Sequence, residues 1–102
     1  MNTKKKSQTV RLLEKSLGEE LTFGLRLSSI RKAEGFTLET FAEKLDISKQ
    51  HLSDIEKGRK AVSPERAARF AQALGYAEDR FVQLALQDLL QHAGLKYKVQ
   101  VS

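Results

Sequence analysis

The stretch LDISKQHLSDIEKG, residues 45–58, decides how the rest of the chain is read. Its apolar residues are Leu45, Ile47, Leu52 and Ile55, while Lys49, Gln50, Ser53, Asp54 and Lys57 fall on the other side of the segment. Ser48 stands where a helix start needs a side-chain oxygen for its unpaired backbone N–H groups. Ile47 and Leu52 bracket it at the spacing of a hydrophobic staple, which fixes how the chain enters the helix. At about 100° per residue, Leu52 and Ile55 share one side, and Gln50 and Lys57 lie almost directly opposite. Ser53 and Asp54 occupy the same outer half, with Lys49, His51 and Glu56 on the flanks. Such a helix gives two large side chains to a core and displays the others.

On the N-terminal side, Thr37 is a second hydroxyl start signal, bracketed by Phe36 and Phe41, and the helix over 37–45 sends Phe41, Ala42 and Leu45 inward. A first core helix is marked by Leu21, Leu25, Leu27 and Ile30 and closes at Gly35. Residues 7–17 form a preceding turn or two of helix through Val10, Leu13 and Leu17, interrupted at Gly18. On the C-terminal side, Ser63 caps a helix with Pro64 at its first position, Glu65 near the positive end of the dipole, and Gly75 as its stop. A longer helix over 77–93 carries Phe81, Val82, Leu84, Ala85, Leu86, Leu89, Leu90 and Ala93, a set wide enough to bury two faces. After Gly94, LKYKVQV alternates apolar and polar residues over 95–101, the period of a half-buried strand. Nothing else in the chain reads as a partner for it.

The totals fit one soluble domain. The chain has 102 residues, 40% hydrophobic and 30% charged, and no run approaches the ~18 apolar residues that a membrane span needs. The N-terminus MNTKKKSQ lacks the apolar centre of a secretory signal, so a cytoplasmic protein with no membrane partner is expected. Zero cysteines exclude disulfides and thiolate zinc sites, and His51 and His92 are too far apart for a local metal motif. No metal and no cofactor are expected. Neither a glycine-rich phosphate loop nor a nucleophile–base spacing is visible, which argues against an enzyme and leaves no catalytic residue to name. The net charge of +5 is concentrated at the ends: residues 1–17 carry five Lys or Arg against Glu14, while residues 18–63 balance at eight of each sign. Charge alone therefore favours a polyanionic partner only weakly.

Spacing carries more. About three residues separate helix 37–45 from the helix that Ser48 starts, so the two turn sharply and meet at Ala42, where a small side chain permits close approach. This is helix-turn-helix geometry. The second helix is held by its staple and two inward anchors, and its outer face presents hydrogen-bonding and charged groups on a rod that fits the DNA major groove.

The segment LRLSSIRKAEGFTLETFAEKLDISKQHLSDIEKGRKAVSPERAARFAQALGY, about half the chain, resembles the phage-repressor-type (Cro/cI, XRE) helix-turn-helix family. The resemblance lies in the combined spacing of an Arg before Gly in the first helix, A-E-K-L, I-S, the I-E-x-G ending, and a Ser-initiated helix closing with A-L-G. It implies an all-α fold, a five-helix lambda-repressor-like DNA-binding domain, to which the residues add a short C-terminal β-strand. It divides the chain into a basic N-terminal arm or short helix (1–17), a helix-turn-helix domain (18–76) and a C-terminal helix plus strand (77–102). It further implies a transcriptional regulator, a repressor that binds a palindromic operator in double-stranded DNA as a homodimer.

By matching position, the resemblance places Lys49, Gln50 and Asp54 at base edges: Gln binds adenine bidentately, Lys donates to guanine, and Asp accepts from cytosine. Asp54 has an alternative, balancing the charge of Lys57 or Lys49. Phosphate or flanking contacts fall to Thr37, Ser48, His51, Ser53, Lys57, Arg59 and Lys60, and Arg31 and Glu56 match a structural ion pair. Two positions depart from the pattern. Leu38 replaces a Gln that grips the DNA backbone, and Asp46 replaces Gly in the turn at a cost of order 1 kcal/mol. The dimer or partner surface is expected at Phe81, Leu86, Leu90, Tyr97, Val99 and Val101, with two copies of strand 95–101 pairing antiparallel. An alternative is a DNA-binding antitoxin that autoregulates its operon and lends the same surface to a cognate toxin. A third is a protein-interaction module that has lost DNA binding, as Leu38 could hint.

Overall fold

The computed structural model describes residues 22–95, in which five helices pack around one apolar core. They are α1 (Phe23–Ala33), α2 (Leu38–Leu45), α3 (Lys49–Glu56), α4 (Pro64–Leu74) and α5 (Glu78–His92). Three of the starts follow from hydroxyls already named: Thr37, Ser48 and Ser63 each accept a hydrogen bond from the backbone N–H three residues on. Thr37 does more, since Thr40 returns a bond to the Thr37 N–H at 3.0 Å and completes a capping box. Thr22 caps α1 in the same way, through the Leu25 N–H at 3.1 Å.

The core is made of Phe23, Leu27 and Ile30 from α1, Phe41, Ala42 and Leu45 from α2, Leu52 and Ile55 from α3, and Val62 from the following loop. Ala67, Phe70 and Ala71 of α4 and Phe81 and Ala85 of α5 complete it. The inward register of α1 is thus 23, 27 and 30; Leu25 is only half-buried, and Leu21 lies outside the described residues. Phe23 belongs inside because it meets the ring of Phe81 edge-on at 5.5 Å and lies 6.4 Å from that of Phe70, tying α1 to α4 and α5. No charged or polar residue is buried among the described residues.

α5 is a full member of this core. Phe81, expected on a dimer surface, is 3% exposed and packed against Phe23 and Tyr76, so it is not available to a partner. Leu95, expected to open a strand, instead sends its N–H back to the Leu90 carbonyl at 2.8 Å and closes α5. The described residues contain no strand; the remainder of the expected strand, with Tyr97, Val99 and Val101, lies outside them, as do residues 1–17.

All five helices end alike. The residue in the left-handed conformation donates back to the carbonyl three residues earlier, and the next residue reaches the carbonyl five earlier, satisfying the last free carbonyls. Four of these residues are Gly; the fifth is Asp46, at φ 60° and ψ 44°, the one non-glycine with positive φ among the described residues. Its N–H bonds Glu43 O at 3.1 Å and the Ile47 N–H bonds Ala42 O at 3.0 Å, so the turn between α2 and α3 has the full closure despite the side chain. Relief of the left-handed penalty should make Asp46→Gly more stable by about 1 kcal/mol, read as a higher urea midpoint at unchanged slope.

Candidate nucleic-acid interface

An eight-residue helix is too short to hold itself together in water, so α3 depends on its neighbours. Leu52 and Ile55, at 0% and 1% exposure, anchor its inner side against α1 and α2. Gly24 holds its last turn. A Cβ built there would fall on the Ile55 carbonyl oxygen and within 3.0 and 3.1 Å of Ile55 C and Glu56 Cα, so the α1 backbone lies directly on that of α3. Beside this contact, Arg31 of α1 makes a two-pronged bond to Glu56, Nε to Oε2 at 2.8 Å and Nη2 to Oε1 at 3.1 Å. Its Nη1 donates to the Phe36 carbonyl at 3.1 Å, joining the turn after α1 to the same group.

On the outer side, Ser48, Lys49, Gln50, Lys57, Arg59 and Lys60 are exposed, and His51, Ser53 and Asp54 are half-buried. The Ser48 hydroxyl accepts from the His51 N–H at 3.0 Å. Thr37 is exposed but its hydroxyl is engaged in the capping box with Thr40, and Leu38 is half-buried against the core rather than offered to solvent. Asp54 is held between two neighbours: Gln50 Nε2 donates to its Oδ1 at 3.1 Å, and Arg59 Nη1 lies 3.4 Å from the same oxygen. The charge-balancing partner of Asp54 is therefore Arg59, not Lys57 or Lys49.

His51 faces Arg66 of α4, whose Nη1 lies 3.3 and 3.2 Å from its two ring nitrogens. Partial burial lowers the His51 pKa, the Arg66 and Lys60 charges lower it further, and Asp54 opposes them. Arg66 had no signal in the sequence, because the contact joins residues 15 apart on different helices. Gly24 left only a faint one: a glycine inside a helical apolar pattern costs about 1 kcal/mol against Ala, which a packing contact can explain. Asp88 of α5, which accepts from the Phe23 N–H at 3.3 Å at the start of α1, is another long-range partner without a local signature.

Among the described residues no group of three or more His, Cys, Asp or Glu could hold a metal ion, and no helix is long and apolar enough to cross a membrane.

A short capped helix set across a second helix through a left-handed turn, with its polar side outward, defines a helix-turn-helix DNA-binding domain. The sequence model of the helix-turn-helix family matches residues 27–81, from within α1 to the first turn of α5. The chain belongs to this Cro/cI-type family of DNA-binding transcriptional regulators, which are not enzymes. Among solved structures it is similar to the clp gene regulator ClgR from Corynebacterium glutamicum, with 37% sequence identity, a TM-score of 0.53, and coverage of 71% of this chain and 78% of that one. A comparison with curated proteins gave no match.

Two outcomes follow from the way α3 is held. Gly24→Ala gains up to about 1 kcal/mol of helix propensity but forces backbone against backbone, where overpacking costs about 1–3 kcal/mol. A net loss of stability is expected in urea unfolding, whereas Ser29→Ala, exposed on the same helix, should show none. For His51, the folded pKa lies below the unfolded one, so its contribution to stability is complete above the ordinary histidine value of 6.5 and is lost as pH falls through the folded pKa. NMR titration should find His51 below that value, and Arg66→Gln should move it upward.

Proposed function

We propose that this protein is a dimeric repressor that reads a palindromic operator with α3 in the major groove. The observation that carries this reading is the division of α3 into two buried anchors, Leu52 and Ile55, and an outer side with Lys49 and Gln50 exposed in its first turn. Lys49 donates to guanine and Gln50 pairs with adenine. Phosphates are gripped by Ser48 and the helix start beneath it, by Lys57, Arg59 and Lys60 after the helix, and by Thr37, His51 and Ser53 at the flanks. Leu38 cannot donate a hydrogen bond, so the backbone grip at the start of α2 is lost or is taken over by Thr37 or Thr40, whose hydroxyls would have to turn from their capping contacts to reach a phosphate.

One α3 offers too few base contacts for a unique site, and pairing two copies on half-sites about 34–36 Å apart supplies the rest. Support for pairing comes from α5, where Leu86 and Leu90 are half-buried and Leu89 is 37% exposed, with Leu95 at 45% just beyond. Leu86 and Leu90 stand at helical positions turned away from the buried Phe81 and Ala85, with Leu89 between the two sets. A dimer seated on a promoter represses by occupying it, and the name of the similar ClgR, a gene regulator, supports a transcriptional role.

The test is selection of bound duplexes from a random pool, repeated with Gln50→Ala and Lys57→Ala. Gln50→Ala should relax preference at one base pair per half-site, and Lys57→Ala should weaken all duplexes alike and flatten the salt dependence. The selected site should be palindromic and bind two chains, and truncation after Gly94 should leave a monomer at micromolar concentration. Duplex binding that ignores both sequence and salt would overturn the proposal, and a small protein copurifying on the α5 surface would point to the antitoxin role instead.

A further inference from the structure

We infer that Asp54 is a positioning residue: it sets the orientation of the Gln50 amide and thereby makes that side chain selective for adenine. The inference rests on the proposed role of α3 and assigns Asp54 a task other than base contact.

Asp54 lies one turn after Gln50 on the same face of α3, its side chain 17% exposed. An ionised carboxylate can only accept hydrogen bonds, so the Gln50 atom 3.1 Å from Oδ1 has to be Nε2; the flipped amide would set oxygen against oxygen. One N–H of Nε2 is thereby used. The second N–H and Oε1 remain free, a donor beside an acceptor, which is the pair that adenine N7 and N6 require in the major groove. With the flip fixed, the donor and acceptor also have a fixed order along the groove.

Asp54 is itself fixed. Arg59 Nη1 lies 3.4 Å from Oδ1, and the Asp54 backbone carbonyl accepts from the Arg59 N–H at 2.8 Å and the Lys60 N–H at 3.3 Å. The loop after α3 thus turns back onto the end of the helix and brings the Arg59 cation to the carboxylate. That arrangement lets a negative charge sit close to DNA, because Arg59 offsets its repulsion from the phosphates.

The experiment is the duplex selection with the full chain, followed by affinities for the selected site and for its single-base variants. The chains compared are the unaltered protein, Gln50→Ala, Asp54→Ala, Asp54→Asn, and the double variant of Gln50→Ala with Asp54→Ala. Asp54→Ala should cut discrimination at the Gln50-dependent base pair by roughly 5-fold or more. The double variant should discriminate no worse than Gln50→Ala alone. Asp54→Asn, of the same shape, should give an intermediate loss because its side chain can face Gln50 with either oxygen or nitrogen; it also serves as the readout should the alanine variant not fold. Unchanged preference at that base pair with Asp54 altered, or a loss confined to a different base pair, overturns the inference and leaves the role of α3 standing. If Gln50→Ala changes no base preference, the inference is likewise overturned. Failure of the unaltered protein to select any sequence removes the role of α3 first, and the inference with it.

Discussion

The constraint on which the structure depends is the contact of the α1 backbone at Gly24 with the last turn of α3 at Ile55. A helix of eight residues with two buried side chains has little to hold it, and its outer side must stay free of packing if it is to meet a ligand. Its fixation therefore comes from below and from its end. Leu52 and Ile55 fill the core, Gly24 lets the two backbones touch, and the paired bonds from Arg31 to Glu56 fasten the flank. None of these groups lies on the face that points outward, so the helix is rigid in its placement while its display side chains remain open to change.

The ion pair has a cost as well as a use. With side-chain exposures of 14% for Arg31 and 8% for Glu56, both groups have lost most of their water, and the net gain of such a pair over apolar packing is small. Its value is geometric. The guanidinium plane matches the carboxylate in two places, and its remaining nitrogen takes the Phe36 carbonyl, so one side chain sets the end of α1, the approach to α2 and the flank of α3 relative to one another. An apolar replacement could fill the volume without fixing those three directions.

What the sequence disclosed were features with local causes. Thr37, Ser48 and Ser63 announce helix starts because a cap acts over three residues, and the inward set of Phe41, Ala42, Leu45, Leu52 and Ile55 follows from helical periodicity. The register of α1 was harder, since LTFGLRL offers apolar residues at nearly every other position and local pattern alone does not choose Phe23 over Leu25. The choice is made by Phe70 and Phe81, more than forty residues away. For the same reason the 77–93 segment showed that it had two apolar faces but not that Phe81 belonged to the inner one. At the interface, residue types and exposure could be anticipated from the 45–58 stretch, whereas the contacts between side chains could not: Arg59 reaches Asp54 only because the chain turns back at Gly58, and Arg66 reaches His51 from another helix.

These contacts sort the outward residues into two kinds. Asp54 is tied to Gln50 and Arg59, and His51 to Arg66, while the side chains of Lys49, Lys57 and Lys60 make no hydrogen bond or ion pair among the described residues. Lysines suit phosphates, because a compact ammonium on a flexible stem can meet the phosphate oxygens from many angles. Base edges require fixed donors and acceptors, and a side chain already ordered loses less entropy when it binds. If α3 reads the operator as proposed, side-chain contacts on it with unpaired lysine side chains around them place rigidity where sequence would be read and freedom where charge alone is needed. The two kinds of residue meet at Arg59, which is exposed enough to face a phosphate yet close enough to Asp54 to share its charge. Under the proposed role of α3, Arg59 would couple a grip on the DNA backbone to the reading of the bases within a single turn of chain.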